Sequence, residues 1–223
     1  MTPATTDAAQ GTVGTVTVED NGGGGGGVQV APIKEEYFTQ ISKILKDSFG
    51  TKRFLCCIPG YDSAVELRSK YKRFPKAKWE LGAVAIDTDN NDAVLGYVQM
   101  NAWGLPSTDG IHTAKRGEMY VEQLGVSADA RGKGVGTKLM NWCEETARAY
   151  DNGDGNKIDR MTLSVIKGNR AIGLYERFGY EIVEVTDSCT NCFNNMFVFV
   201  VLGRPYGWNN PEWGYYDMVK PLE

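Results

Sequence analysis

Three glycines, Gly132, Gly134 and Gly136, alternate with Arg131, Lys133, Val135 and Thr137 in the stretch ARGKGVGTKLM at 130–140. Glycine this dense is unfavourable inside a regular element, so a special backbone path is expected here. The stretch follows the strand-like ending LGV and runs into a helical pattern. At such a junction unpaired backbone N–H groups and the positive end of the helix dipole gather. Alternating glycines let successive N–H groups converge and admit a bulky anion, so the turn reads as a nest for a phosphate or diphosphate. Arg131 and Lys133 add side-chain charge at its rim. Spacing narrows the choice of ligand loop. Gly136 is followed by Thr137 and then Lys138, which fails the P-loop order, and the glycines run G-x-G-x-G rather than G-x-G-x-x-G. The pattern [RQ]-x-x-G-x-[GA] is met by Arg131, Gly134 and Gly136.

Other reactive side chains give weaker signals. The five cysteines are Cys56, Cys57, Cys143, Cys189 and Cys192, too few and odd in number for a disulfide scaffold. Cys189 and Cys192 have zinc or redox spacing, but there is no second such pair and the single histidine, His112, is distant. Reduced thiols and no metal are expected. The formal charge of −4 gives no general pull toward nucleic acid or an anionic membrane, and mildly suits cationic small molecules. The longest apolar run, MFVFVVL at 196–202, is too short to cross a bilayer, and the first basic residue is Lys34, which argues against a basic leader. A soluble, cytoplasmic protein is expected.

The elements that must position the glycine turn follow from periodicity and punctuation. Residues 1–27, ending in six glycines, hold few large apolar groups and read as a disordered tail. VQVAP from Val28 reads as a strand, and IKEEYFTQISKILKDSF places Tyr37, Ile41, Ile44, Leu45 and Phe49 on one helical face. A second helix is expected within 61–74, stopped by Pro75. WELGAVAI and VLGYVQM flank the turn DTDNND as a hairpin, and EMYVEQLGV (118–126) is a further strand. GVGTKLMNWCEETARAY is an amphipathic helix, with Cys143 on the apolar face of Leu139, Met140 and Ala147. RMTLSVI (160–166), a short helix in 169–179, YEIVEV and YYDMVKPL complete the order. Hairpins mixed with one strand–helix–strand crossover give α/β content without the regular alternation of a doubly wound sheet.

Taken together, LGVSADARGKGVGTKLM and NRAIGLYERFGY resemble the cofactor-binding half of the GNAT superfamily of acetyl-CoA-dependent N-acetyltransferases. The second segment carries N-x-A-x-x-x-Y-x-x-x-G-[FY] at Asn169, Ala171, Tyr175, Gly179 and Tyr180. The resemblance covers 118–182 strongly and about 28–187 by element order. It implies an α/β (α+β-like) fold: a single domain over 28–223 with a mixed, mostly antiparallel twisted sheet, a splayed parallel strand pair and helices on both faces. It further implies that the diphosphate of acetyl-CoA lies on the backbone of 131–137, that is Arg131, Gly132, Lys133, Gly134, Val135, Gly136 and Thr137. Pantetheine amides would pair with Leu124, Gly125 and Val126 as an added strand, and Asn169 matches the residue that reaches the pantetheine arm. Tyr175 matches the tyrosine that protonates the departing thiolate. In arylalkylamine N-acetyltransferases, histidines relay the amine proton at the positions of Tyr120 and Glu122, so this chain departs from the family there.

An ammonium of pKa ~10.4 is deprotonated in about one molecule in 2,500 at pH 7, a deficit that a base, directly or through water, offsets in part. Glu122 is the candidate. Under strict two-residue alternation it shares the strand face of Leu124 and Val126. Direct transfer in a ternary complex to a primary amine is expected, with a small amine ahead of a protein N-terminus or lysine. A non-catalytic acyl-CoA sensor is the alternative from another class. The segment 188–213, between YEIVEV and YYDMVKPL, reads as an insertion beside the acceptor pocket or in a homodimer contact, with Trp208 and Trp213 as aromatic walls.

Overall fold

The computed structural model describes residues 27–49, 62–108, 112–151, 155, 157–185 and 215–223, the side chains of 184 and 185 excepted. The tail 1–26, Cys56, Cys57, Cys189, Cys192 and the segment 188–213 lie outside the described residues.

Seven strands, β1 (Val28–Pro32), β2 (Gly82–Asp87), β3 (Ala93–Ala102), β4 (Glu118–Val126), β5 (Arg160–Ile166), β6 (Glu181–Val185) and β7 (Tyr215–Pro221), form one sheet in the order β1-β2-β3-β4-β5-β7-β6. Every neighbouring pair is antiparallel except β4 and β5. That pair is joined by the helix α4 (Val135–Ala149), because parallel neighbours need a crossover. The remaining α-helices among the described residues are α1 (Phe38–Phe49), α2 (Ala64–Tyr71), α3 (Lys76–Glu80) and α5 (Ile172–Arg177). No helix among the described residues is long and apolar enough to cross a membrane.

Two cores lie on opposite faces of the sheet, as strand alternation requires. On one face Ala83, Ala85, Val98, Met100, Met119, Val121 and Leu163 pack with Val135, Leu139, Met140 and Cys143 of α4 and Tyr175 of α5. On the other, Val84, Ile86 and Tyr97 pack with Phe38, Ile41, Ile44 and Leu45 of α1 and Leu67 and Tyr71 of α2. Gly125 lets α1 approach β4 closely: a Cβ there would stand 2.9 Å from Ile44 Cγ2 and 3.0 Å from Ser48 Oγ.

The second helix falls within the expected 61–74, running from a capping box at Ser63, whose Oγ accepts from Glu66 N at 3.3 Å, to Tyr71. One sequence expectation needs correction. Trp79 and Glu80 are helical rather than the start of β2, since Pro75 opens α3 with Lys78 N donating to its carbonyl at 2.9 Å. Trp79 is then locked by a hydrogen bond from Nε1 to Tyr71 O at 2.9 Å and by edge contact with the Tyr71 ring. Local strand pattern lost to tertiary packing there.

Candidate active site

β4 and β5 pair from Glu118 against Arg160 to Val121 against Leu163, and there the ladder ends. β5 goes on pairing with β7 through Ile166, and β4 goes on pairing with β3 through Val126. The β5-facing edge of β4 from Glu122 onward, including Leu124, Gly125 and Val126, is therefore an open strand edge, a template for an extended partner. That edge runs into the glycine turn.

The turn has the geometry its sequence demands. Gly132 and Gly134 are left-handed, with φ of 76° and 79°, and a Cβ on either would meet nothing within 4 Å. Arg131, Gly132, Lys133, Gly134 and Thr137 are exposed, Gly136 is half-buried and Val135 is anchored in the core. Helix α4 begins immediately, and its first ladder bond beyond the turn is Lys138 N to Gly134 O at 3.0 Å. The N–H groups of Val135, Gly136 and Thr137 precede that bond and have no carbonyl one helical turn back to receive them. Open space, convergent donors and the positive end of a 15-residue helix make this a fit for a diphosphate. The Arg131 guanidinium ties the turn down: Nε donates to Val126 O at 3.1 Å and Nη2 to Asp47 O at 3.2 Å.

Asn169 stands after β5, half-buried, with Oδ1 accepting from Ala171 N at 2.9 Å to open α5. On α5, Tyr175 is 7% exposed, and burial pushes its phenol well above the ordinary tyrosine range. It lies edge-on to Tyr180 at 6.1 Å. Cys143 is fully buried, and burial, reinforced by Glu144, pushes its thiol up strongly.

Glu122 does not share the face of Leu124 and Val126. The partners of Gln99 and Met100 are Gln123 and Val121, so Glu122 is the extra residue of a β-bulge that reverses the alternation. Leu124 and Val126 pack toward α4, while Glu122 turns to the α1–α2 face shared by Tyr120. Its Oε2 accepts from Lys78 Nζ at 2.7 Å and its Oε1 from Thr108 N at 2.9 Å. Both side chains of the Lys78–Glu122 pair are 0% exposed. The residue as a whole is only half-buried, so what solvent reaches of Glu122 is main chain. Lys78 also donates to Asn101 Oδ1 at 2.9 Å and Met100 O at 3.0 Å, which satisfies a charge that would otherwise be costly to bury.

The polar patch continues in both directions. Gln99 accepts from Tyr71 Oη and donates Nε2 to Lys78 O at 3.0 Å, and the Tyr71 and Tyr97 hydroxyls stand 3.1 Å apart. Tyr120, 3% exposed, donates to Ser164 Oγ at 3.4 Å, and Ser164 donates to Asp217 Oδ1 at 2.5 Å. The His112 ring lies 4.3 Å from that of Tyr120, with Nε2 3.0 Å from Glu118 Oε1. Sequence reasoning singled out Glu122, Tyr120, Tyr175 and the glycine turn as candidates, but not Lys78, Asn101, Ser164 or Asp217. The one local signal for them is alternation: Ser164 is polar on the face of RMTLSVI opposite Met161, Leu163 and Val165.

Comparison with known proteins identifies the family. The model of the acetyltransferase (GNAT) family matches residues 40–180, more than half of the chain. The chain belongs to the GNAT family. Among curated relatives it is similar to N-alpha-acetyltransferase 50 of Danio rerio, 31% identical over 117 residues, which are 50% of this chain and 60% of that protein. It is also similar to the L-methionine sulfoximine/L-methionine sulfone acetyltransferase of Pseudomonas aeruginosa, 28% identical over 122 residues, 54% of this chain and 63% of that protein. The matched stretch thus spans about three fifths of these relatives' own length. Among solved structures, yncA of Salmonella typhimurium with its cofactor acetyl-CoA shares the fold at a TM-score of 0.57 and 17% identity, over 88% of this chain and 94% of the other.

Proposed function

We propose that this GNAT protein moves the acetyl group of acetyl-CoA to a primary amine by direct transfer in a ternary complex. The observation that carries the reading is the junction of an open β4 edge with an exposed left-handed glycine turn at the start of α4. Residues 131–137 would hold the diphosphate through backbone N–H groups, with Lys133 contributing charge from the rim. Leu124, Gly125 and Val126 would pair with the pantetheine amides, and Asn169 would reach the same arm. The bound thioester supplies an acyl carbon open to attack by an uncharged nitrogen.

Tyr175 would give its proton to the departing sulfur. Burial disfavours its phenolate, so the hydroxyl is in the form that an acid requires. Glu122 and Tyr120 line the amine side. The Glu122 carboxylate is sealed from solvent and held by Lys78 and Thr108, so it would order this side of the site while Tyr120 takes the amine's proton. A covalent acetyl-cysteine route through Cys143 finds no support, because burial disfavours its thiolate.

A small amine is the acceptor that the mildly acidic chain suits, and the similarity to L-methionine sulfoximine/L-methionine sulfone acetyltransferase favours it. A protein N-terminus is the second reading, favoured by the match to N-alpha-acetyltransferase 50. Thiol release from acetyl-CoA, screened against amino acids, polyamines, arylalkylamines and short peptides with free N-termini, separates the two. Turnover with small amines alone supports the first. Turnover confined to peptides overturns it in favour of the second, and tight binding of acetyl-CoA with no thiol release would indicate a sensor.

A further inference from the structure

Tyr120, Ser164 and Asp217 form a line of hydrogen bonds across three strands, and nothing in the transfer scheme yet uses its far end. Tyr120 pairs with Thr162 on the next-to-last rung that β4 and β5 share, and Ser164 is the first β5 residue but one past it, where the strands have parted. Asp217 is the direct cross-strand neighbour of Ser164 on β7. The donors run one way: Tyr120 Oη gives its hydrogen to Ser164 Oγ at 3.4 Å, and Ser164 gives its own to Asp217 Oδ1 at 2.5 Å. Burial falls along the same line. Tyr120 is buried, whereas Ser164 and Asp217 are half-buried.

We propose that Ser164 and Asp217 carry the acceptor amine's proton from Tyr120 out of the site. This rests on the acetyl-transfer reading above and deepens it. The alkylammonium must shed one proton before attack and a second as the product amide forms. In the first loss a proton passes from nitrogen to Tyr120 Oη, the Tyr120 proton moves to Ser164 Oγ, the Ser164 proton moves to Asp217 Oδ1, and Asp217 releases it to water. The nitrogen lone pair then forms the N–C bond, the C–S bond breaks, and sulfur takes a proton from Tyr175. The second nitrogen proton replaces the one that Tyr175 gave up, so the transfer closes with amide, thiol and one proton in solvent. The 3.4 Å link is long for a hydroxyl pair, as catalytic hydrogen bonds often are before substrate tightens them. Ser164 and Asp217 act through Tyr120, so they are positioning residues.

The account separates from the simpler idea that Asp217 docks the ammonium by charge. In the full chain, Ser164→Ala and Asp217→Asn are expected to lower kcat by about 10- to 100-fold, the scale of one proton-transfer contribution. The amine KM and calorimetric acetyl-CoA affinity should stay within about two-fold, as for an interaction used only in the transition state. Ser164→Thr, which keeps the hydroxyl, should restore most of the rate. Asp217→Asn should add little to Tyr120→Phe, since links in one chain fail together. A raised amine KM with unchanged kcat in Asp217→Asn, or full activity in Ser164→Ala, overturns the relay and leaves acetyl transfer standing. A wild-type chain that binds acetyl-CoA but acetylates no amine overturns both.

Discussion

The glycine turn and the polar patch lie along one strand, β4, yet they are built from different materials. At the turn the groups offered to a ligand are main-chain N–H donors, and the residues are consecutive, from Arg131 to Thr137. In the patch they are side chains: Lys78, Asn101, Thr108 and Glu122 meet there from separate elements, with Lys78 and Glu122 44 residues apart. The turn is exposed and open, whereas the Lys78–Glu122 pair is sealed from solvent. A site made of backbone is encoded locally by residues that permit a path. A site made of side chains is encoded by whatever the fold brings together, so it tolerates change of partners but not loss of one.

The largest effect should follow from removing one partner of the sealed pair. Lys78→Met leaves the Glu122 carboxylate buried with Thr108 N as its remaining donor, and the cost is about 3–5 kcal/mol. A denaturant melt should show that loss, and the double variant Lys78→Met with Glu122→Leu should recover much of it. No loss in the single variant would break the contrast between the two regions.

At the turn the corresponding change is Gly134→Val. The left-handed φ of 79° costs a β-branched residue about 1–2 kcal/mol, and the new side chain enters the open space above the N–H donors. Affinity for acetyl-CoA should fall by about 100-fold in calorimetry. Because nothing presses on that position, the fold should lose much less than it does in Lys78→Met.

Tyr175 belongs to neither region and packs on the α4 face of the sheet. Tyr175→Phe should lower kcat by about 10- to 100-fold in a thiol-release assay while leaving acetyl-CoA affinity unchanged, as expected for a proton donor and not for a core ring. The smallest effect calibrates the rest. Ser63→Ala removes the N-cap of α2, at the end of that helix opposite Tyr71, and should cost about 1 kcal/mol of stability with kcat and KM intact.

The same contrast decides what could be read from the sequence. Strands β1, β4, β5 and β7, helix α4 and the glycine turn follow from local pattern, since alternation, amphipathic spacing and glycine are all short-range signals. The splayed pair and the helices on both faces come from the family resemblance and match the observed sheet. Two features eluded local reasoning for identifiable reasons. The bulge at Glu122 depends on how β4 registers against β3, so two-residue alternation assigned its side chain to the wrong face. Helix α3 depends on Trp79 finding the Tyr71 carbonyl and ring, a contact that no strand propensity anticipates. Ser164 and Asp217 look like ordinary polar positions on strands until β7 is seen beside β5.

The backbone cradle is tested most directly by calorimetry of the wild-type chain with two ligands, acetyl-CoA and S-acetyl-pantetheine, which lacks the diphosphate. Charge-assisted hydrogen bonds from the turn predict at least about a 100-fold advantage for acetyl-CoA. Equal affinity for the two, or no binding of acetyl-CoA at all, would contradict the account.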